Sequence, residues 1–358
     1  MKKILFISGH LTNGGAQRVV SVVTSSLAEK GYDVSLLLFT RSKAEYPISP
    51  KVKIVSISEN GEDYQKVSLF QRARFIRKYL KQFKPDVAVG FLEGGYALYI
   101  SSIGMRFKKI ASTRIDPEVI MRAKGFRAKI NRAWFRSADY IVVQTESQRK
   151  RLPQKLAKKS VTIENPISDK ALSIEKSTYS SCKKIVMAGR LAKQKNYPMV
   201  FRAISTVKQK YPDIHVDIFG LGDEQENLAK QISEMHLNEN ITLRGWSTDT
   251  IGEMVKYDAF ILSSNYEGLP NSLMEAMAVG LPCISTDCTT GPSDLIKDGT
   301  NGFLVPVDDD KMLASRITEL IEMDEDKRFK IGYSARKNLS DNYNSQVILK
   351  KWEDLILK

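Results

Sequence analysis

Short apolar runs alternate with helical patterns along the first half of the chain. The runs typical of buried strands are KILFI, VSLLLF, KIVSI, DVAVGF, KIAST and YIVVQT. Strands that alternate with helices predict a parallel sheet covered by helices on both faces. The alternation starts again at KKIVMAG and continues through VDIFG, ITLRG, AFILSS, PCIST and GFLVP. The pattern therefore predicts an α/β protein with two doubly wound domains in tandem.

A polar segment separates the two halves. Residues 165–182 open with Asn-Pro and show no clear period, which is typical of a linker. We therefore expect a first domain at residues 1–165, a linker at 166–182 and a second domain at 183–344. Two such domains place a ligand in the cleft where the carboxyl ends of their strands face each other.

Composition narrows the class of protein. The chain has 358 residues and 42% hydrophobic content, enough for two globular domains with separate cores. Its three cysteines give no disulfide framework and indicate a reducing cytosol, and together with three histidines they show no zinc spacing. Because no apolar run reaches about 18 residues, we expect no membrane span and no secretion.

The positive charge is concentrated in the first half. Residues 1–165 carry 31 Lys and Arg against 13 Asp and Glu, a net charge of +18, whereas residues 166–358 carry 24 against 28, a net charge of −4. Basic runs occur at residues 70–81, 106–109, 121–136 and 148–159, and any one of them alone fits a solvated helix face. Together, the runs indicate an anionic partner on one side only: anionic lipid, a lipid-linked pyrophosphate or nucleic acid.

Three glycine-containing turns follow predicted strands. Gly14 and Gly15 precede a helix after the first strand, where they fit either a phosphate-binding turn or a plain strand-to-helix turn. The spacing matches neither the Walker loop nor the dinucleotide fingerprint. In the second half, Gly220 and Gly245 follow two further strands and are expected at the edge of the cleft.

Two cations follow the first strand of the second half. That strand ends at Gly189, and Arg190 and Lys195 come before the next predicted helix. Arginine binds phosphate as a planar fork and lysine as a point charge. Their placement predicts a clamp for a diphosphate.

The stretch EGLPNSLMEAMAVGLP places two glutamates eight positions apart. Glu267 lies before a turn at residues 268–270, and apolar spacing then predicts a helix from about Ser272 to about residue 280 that contains Glu275. Ser272 and Glu275 also fit a capping box, in which Glu275 accepts a hydrogen bond from a backbone N–H. Glu267 alone fits a solvated loop carboxylate.

Four motifs occur in a fixed order across nearly the whole chain: GGAQR, GRLxxxKN, FGxGDExxxL and EGLPNSLME. Each is weak alone, but their ordered combination closely resembles the retaining glycosyltransferases of family 4. The resemblance implies the GT-B architecture, with two Rossmann-like domains, a donor nucleotide bound mostly by the second and an acceptor by the first. It also implies that residues 345–358 form a helix that packs back on the first domain.

The resemblance assigns roles to the matching positions. Glu267 would position the donor sugar, Glu275 would hold the ribose hydroxyls, and Arg190 and Lys195 would neutralise the leaving diphosphate. We therefore take Glu267, Arg190 and Lys195 as the catalytic residues. Besides Glu275, the expected donor-binding positions are Gly14, Gly15, Gly189, Gly220, Gly245, Gly268, Leu269, Pro270 and Asn271.

The implied reaction moves a hexose or N-acetylhexosamine from a nucleotide sugar, UDP in the branch that this chain resembles, with retention at the anomeric carbon. The two cations would replace a divalent metal, and the first half has no Asp-x-Asp motif, so we expect neither metal nor cofactor. Residues 308–310 are an acidic run before a helix, which predicts a helix cap instead of a metal site.

The acceptor side is expected in the first domain. Many family members have a sugar-contacting histidine at the end of one strand, where this chain reads IASTRIDP with Arg114 and Asp116. Similar segments occur in enzymes that act on bacterial lipid-linked surface glycans. Asp116 would either orient the acceptor hydroxyl or pair with Arg114.

The basic segment at residues 121–136, which includes Arg122 and Arg127, carries aromatic residues as well. It suits an anionic bilayer or a polyprenyl pyrophosphate, while Trp134 and Phe135 are expected in the core. We therefore expect a cytoplasmic, peripheral enzyme on the inner face of the cell membrane. It would extend a polyprenyl-pyrophosphate-linked acceptor for a bacterial surface polysaccharide or glycoprotein glycan.

Two alternatives fit parts of the sequence. A nucleotide-sugar 2-epimerase shares the architecture and would need an acid or base in the cleft, for which His10 is the histidine candidate. A basic nucleic-acid-binding protein would explain the charge, but the sequence contains no recognised nucleic-acid module, so no nucleic acid is expected as partner.

Overall fold

A computed structural model describes residues 1–12, 15–41, 46–59, 67–91, 93–176 and 182–358, and describes Leu69 and Arg127 for their backbone alone. The chain divides into two compact units. The first contains Met1–Pro166 and Gln346–Lys358, and the second contains Ile167–Ser345.

Within its described residues, the first unit forms a parallel sheet of seven strands in the order β3-β2-β1-β4-β5-β6-β7. The strands are β1 Lys3–Ser8, β2 Asp33–Thr40, β3 Lys53–Ser58, β4 Val87–Phe91, β5 Lys108–Ser112, β6 Tyr140–Val143 and β7 Ser160–Thr162. The helices are α1 Gly15–Glu29, α2 Leu69–Phe83, α3 Glu93–Ser101, α4 Pro117–Arg122, α5 Phe126–Ser137, α6 Glu146–Lys150 and α7 Gln154–Ala157.

The described part of the second unit forms a six-stranded parallel sheet in the order β10-β9-β8-β11-β12-β13. Its strands are β8 Lys184–Ala188, β9 His215–Phe219, β10 Ile241–Gly245, β11 Ala259–Leu262, β12 Cys283–Thr286 and β13 Phe303–Val305. Its helices are α8 Asp169–Ser173, α9 Tyr197–Val207, α10 Gln225–Glu234, α11 Thr250–Met254, α12 Asn271–Ala278, α13 Pro292–Leu295, α14 Asp310–Glu322 and α15 Glu325–Asn342.

The central strands are buried on both faces. In β1, Ile4 and Phe6 pack into one core cluster, whereas Leu5 and Ile7 pack into another on the opposite face. Side chains alternate between the two faces of a strand, so a strand covered by helices on both sides must be apolar throughout. The apolar runs have this property, and the two parallel sheets confirm the predicted fold class.

The predicted linker is partly structured. Its residues 169–173 form helix α8, where the Ser168 hydroxyl accepts a hydrogen bond from the Ala171 N–H at 3.2 Å. Ile167 and Ala171 are buried in a core cluster of the second unit. A single helical turn is too short to show a period, which is why the sequence pattern missed it. Residues 177–181 of the predicted linker lie outside the described residues.

The final helix, α16 Ser345–Leu357, belongs to the first unit from Gln346 onward. Its buried side chains include Trp352, which is 0% exposed and stacks on Phe91 with ring centroids 5.8 Å apart. The Phe6 ring lies 6.4 Å from the Trp352 ring and 6.1 Å from the Phe91 ring, so the three rings contact one another. The last residues of the chain thus complete the core around β1 and β4.

Replacing Trp352 by alanine should destabilise the protein strongly, because the cavity would lie against the two central strands. Removal of a buried tryptophan costs about 3–5 kcal/mol of unfolding free energy, measurable by denaturant unfolding. Leu357→Ala is the control, since Leu357 is on the same helix and 51% exposed. Equal unfolding midpoints for the two variants would contradict this account of the core.

Candidate active site

The turn after β8 presents one exposed cation and one partly buried cation. Arg190 is exposed, and in the described part of the chain its guanidinium has no hydrogen-bond or ion-pair partner. Lys195 lies in a short 3₁₀ turn at Lys193–Lys195. Asn196 ends that turn in the left-handed conformation, with φ of 45°, and α9 begins at the next residue.

Lys195 forms an ion pair with Glu267. The Lys195 Nζ lies 2.6 Å from Glu267 Oε1, and the two side chains are 16% and 10% exposed. The Ser264 hydroxyl donates to the same Oε1 at 2.6 Å. Both donors therefore hold one carboxylate oxygen, while Oε2 has no hydrogen-bond partner among the described residues. The pair is fixed in the protein itself, with one oxygen left for a ligand.

Buried hydroxyls hold the backbone on both sides of this pair. Ser263 Oγ donates to the Lys195 carbonyl, and Thr290 Oγ1 donates to the Glu267 carbonyl, each at 2.6 Å. Both hydroxyls are 1% exposed, and buried hydroxyls of this kind require partners. Sequence analysis missed them, although a polar residue directly after a buried strand, as in AFILSS, is a usable signal.

Two neighbouring groups stay protonated. Burial raises the pKa of the Cys288 thiol to about 12, and the negative charge of Glu267 adds to the effect. Burial, followed by the charge of Glu267, also raises the pKa of the Tyr197 phenol. Tyr197 therefore acts as a neutral donor, and its hydroxyl binds the Gly189 carbonyl at 3.1 Å.

Glycines bring three turns together at the carboxyl edge of the second sheet. A Cβ on Gly220, where φ is 148°, would lie 1.9 Å from the Gly189 carbonyl oxygen. The Gly220 N–H donates to the Gly245 carbonyl at 2.7 Å, and Gly245 has φ of 74°. Only glycine allows such close backbone approach. The predicted donor-binding glycines 189, 220 and 245 thus occupy adjacent turns.

Helix α12 begins at Asn271, directly after the turn that follows Glu267. Pro270 is its N-cap and supplies no side-chain cap. The alternative in which Ser272 and Glu275 form a capping box is wrong, because the N-cap is Pro270, two residues earlier, and Ser272 already lies inside the helix. Glu275 is half-buried on this helix. A helix start without a side-chain cap is suited to bind an anion.

The turn at residues 268–270 exposes backbone groups instead of apolar side chains. Leu269 is 6% exposed and packs into the core of the second unit, so the side chain is directed away from solvent. Gly268 lies against Gly291, and a Cβ added to Gly291 would lie 2.4 Å from the Gly268 carbonyl oxygen. Of the predicted donor-binding set, Gly14 lies outside the described residues, and Gly15 is the first residue of α1.

The acidic run before α14 caps that helix, as predicted. The Asp309 side chain accepts a hydrogen bond from the Met312 N–H at 2.9 Å, whereas Asp308 and Asp310 bind Arg202. Over the described ranges of the chain, no group of three or more His, Cys, Asp and Glu side chains is arranged to hold a metal.

On the acceptor side, Arg114 lies in the core of the first unit. It is 7% exposed, its guanidinium lies 4.9 Å above the Phe91 ring, and it donates to Asn165 Oδ1 at 2.9 Å. Burial lowers its pKa to about 9. Asp116 accepts from Arg151 Nε at 3.1 Å and from the Glu118 N–H at 2.9 Å. The alternative in which Asp116 pairs with Arg114 is therefore wrong, and Arg114 has a structural position.

The basic segment contains both core and surface residues. Trp134 and Phe135 are 2% and 4% exposed, which confirms the expectation that they belong to the core. Phe126 is 72% exposed at the start of α5, and Arg122 pairs with Glu118 at the end of α4. The Arg127 side chain lies outside the described residues. None of the described helices has the length and apolar character needed to cross a bilayer.

Comparison with known proteins identifies related sequences and folds. The description "Glycosyl transferases group 1" matches residues 170–338, and "Glycosyl transferase 4-like" matches residues 4–145. The amylovoran biosynthesis glycosyltransferase AmsD of Erwinia amylovora is 29% identical, over 99% of each protein. The HepE structure from Anabaena in complex with UDP has a TM-score of 0.79 at 17% identity, over 99% of each chain.

A relative with a specified reaction is similar over nearly its full length. It is the GalNAc-α-(1→4)-GalNAc-α-(1→3)-diNAcBac-PP-undecaprenol α-1,4-N-acetyl-D-galactosaminyltransferase of Campylobacter jejuni. The two proteins are 29% identical over 99% of this chain and 98% of the relative. The two family matches together span most of both units. The chain therefore belongs to the family 4 glycosyltransferases and has their GT-B fold.

Proposed function

We propose that the chain is a retaining, metal-independent glycosyltransferase that moves a hexose or N-acetylhexosamine from a UDP-sugar to a polyprenyl-pyrophosphate-linked glycan. The observation that carries the proposal is the Lys195–Glu267 pair in the same turn region as Arg190, whose guanidinium has no partner among the described residues. It supplies the two kinds of group that a nucleotide sugar requires, cations for the diphosphate and a carboxylate for the sugar.

The donor would lie along the carboxyl edge of the second sheet. Arg190 and Lys195 bind the diphosphate, and the start of α12 donates backbone N–H groups to it. Glu267 Oε2 accepts a hydrogen bond from a hydroxyl of the donor sugar, and Glu275 binds the ribose. These contacts stabilise the negative charge that develops on the diphosphate as the glycosidic bond breaks.

The proposed reaction needs no enzymic base, because the leaving diphosphate accepts the proton of the acceptor hydroxyl. The bond between the anomeric carbon and the diphosphate oxygen breaks, the acceptor oxygen bonds to that carbon on the same face, and the acceptor proton moves to the diphosphate. The name of the Campylobacter jejuni relative specifies an α linkage. An α-linked product from an α-linked nucleotide sugar requires retention at the anomeric carbon, which supports this assignment.

The acceptor proposal rests on the relatives and on the charge of the first half. The Campylobacter jejuni relative is named for an undecaprenyl-pyrophosphate-linked acceptor, and the Erwinia amylovora relative for amylovoran biosynthesis. The net charge of +18 over residues 1–165 suits a pyrophosphate and an anionic bilayer. Exposed Phe126, Val119 and Ile115 lie in or beside helices of the basic segment, where apolar side chains can enter the headgroup region of the inner leaflet.

The donor site is tested by calorimetry with UDP, GDP and their sugar conjugates. We expect micromolar binding of a uridine nucleotide, weakened about 10- to 100-fold by Arg190→Ala, because a charge-assisted hydrogen bond is lost. Glu275→Ala should also weaken nucleotide binding. Glu267→Ala should abolish transfer and keep most of the nucleotide affinity.

Lys193→Ala is the matched control for these variants, since Lys193 is exposed in the same 3₁₀ turn as Lys195. It should bind nucleotide as the wild type does. Binding of none of the nucleotides, or equal loss of binding and transfer in all three site variants, would contradict the proposed roles.

Transfer should continue in excess chelator. Arg190 and Lys195 neutralise the diphosphate in this proposal, so initial rates with and without EDTA should agree within about twofold. Loss of one group that stabilises the transition state typically lowers the rate about 10²- to 10³-fold, so the two results are easily separated. Recovery of activity only on addition of manganese would refute the metal-independent reaction.

Membrane association is tested by sedimentation with vesicles of phosphatidylcholine, with or without about 30% phosphatidylglycerol. We expect binding to the anionic vesicles, reduced by Phe126→Asp because the exposed ring enters the interface. Phe329→Asp is the control, since Phe329 is 45% exposed on α15 of the second unit. Equal binding of wild type to neutral and anionic vesicles would contradict an electrostatic interaction.

A further inference from the structure

A carboxylate outside the proposed donor site lies at the centre of the first sheet's carboxyl edge. Glu93 begins α3, directly beyond β4, and β4 pairs with β1 in the strand order. The strand order reverses between β1 and β4, since β1 is followed on one side by β2 and on the other by β4. Ligands of open parallel sheets bind at this reversal point.

Three glycines allow the start of α3 to pack closely against β1, β4 and the Trp134 ring. A Cβ on Gly94 would lie 2.1 Å from the Ile7 carbonyl oxygen, and one on Gly95 would lie 2.5 Å from Trp134 Nε1. A Cβ on Gly90 would meet the Gly95 Cα at 2.6 Å. Larger residues cannot occupy these positions without moving backbone or a buried ring. The packing thus fixes the backbone from which the Glu93 side chain extends.

The Glu93 carboxylate lies over Gly9, the residue after β1. A Cβ on Gly9 would be 2.9 Å from Glu93 Oε2. Glu93 is exposed, and no hydrogen bond or ion pair holds its carboxylate within the described residues. In the same half of the chain, Asp116 and Glu29 have cationic partners.

The neighbouring histidine adds a donor. The Thr12 backbone N–H donates to His10 Nδ1 at 3.3 Å, and the Thr12 hydroxyl lies 2.9 Å from the same nitrogen. Because Nδ1 accepts from the backbone, the proton of the neutral ring lies on Nε2. The turn after β1 and the start of α3 therefore offer a carboxylate acceptor and an imidazole donor, a combination that suits sugar hydroxyl groups.

We propose that Glu93 is a positioning residue for the acceptor, and that its carboxylate accepts hydrogen bonds from hydroxyl groups of the sugar that receives the transferred residue. This inference rests on the proposed function and assigns an acceptor contact to the first unit. A carboxylate with both oxygens free binds two neighbouring hydroxyls by charge-assisted hydrogen bonds.

A purely local role of Glu93 predicts different behaviour. An acidic side chain in the first turn stabilises a helix by interacting favourably with the helix dipole, and its removal lowers the stability of the protein slightly. Loss of such a local interaction would not change the KM of one substrate selectively. Kinetic constants therefore separate the two roles.

The test measures transfer to a polyprenyl-pyrophosphate-linked oligosaccharide that ends in N-acetylgalactosamine, with the UDP-sugar that binds in calorimetry. Glu93→Gln should raise the acceptor KM about 10- to 100-fold, with the donor Kd and the unfolding midpoint unchanged. Glu29→Gln is the control, because Glu29 is an exposed carboxylate of the same unit that pairs with Lys51.

Gly9→Ala provides a second variant that leaves Glu93 in the chain. The new methyl group would displace only the flexible end of the Glu93 side chain, so the fold should be retained and the acceptor KM should rise as in Glu93→Gln. In a Glu93→Ala background, Gly9→Ala should have no further effect.

The outcomes distinguish this inference from the proposed function. An unchanged acceptor KM in Glu93→Gln and Gly9→Ala overturns the role of Glu93 and leaves the transferase intact. UDP binding without transfer to this acceptor by the wild type also overturns it, because the inference commits to that acceptor class. Absence of nucleotide binding refutes the proposed function itself.

Discussion

The whole arrangement depends on one constraint of parallel sheets: every strand ends at the same edge. Lys195 and Glu267 are 72 residues apart, and they meet because β8 and β11 are neighbours, with Ala259 aligned to Ile185. The turns that carry Gly220 and Gly245 reach the same edge through β9 and β10. A slip in the register between β8 and β11 would separate the ion pair, so the packing of the sheet and the chemistry of the site are inseparable.

The two cations of this edge are held differently, and the difference explains their separate roles. Lys195 is largely buried and paired with Glu267, and the hydroxyls of Ser263 and Ser264 fix both partners. Such a pair is costly to break because either charge alone would remain desolvated. Arg190 is exposed and unpaired within the described residues, so it can bind a ligand without breaking an internal contact. The pair provides fixed geometry, and Arg190 provides a freely available charge.

The sequence predicted the features that depend on periodicity and strand order, including the two sheets, the turn with Arg190 and the Asp309 cap. It failed where the exact start of a helix or the direction of a side chain decided the outcome. The capping box required Ser272 as the N-cap, whereas the observed N-cap is Pro270, two residues earlier, and the helix starts at Asn271. The direction of Arg114, into the core over Phe91, follows from packing between elements distant in sequence. No local pattern contains that information.

Both units place a glutamate after the strand that lies across the reversal point from their first strand: Glu93 after β4 and Glu267 after β11. Their electrostatic surroundings are opposite. The turn after β8 supplies Lys195 to pair with Glu267, whereas the turn after β1 supplies Gly9, which has no side chain to meet Glu93. A paired carboxylate suits a site that must also stabilise an anionic diphosphate. A carboxylate without a cationic partner, such as Glu93 among the described residues, suits neutral hydroxyl groups. The basic residues elsewhere in the first half then remain available for a pyrophosphate.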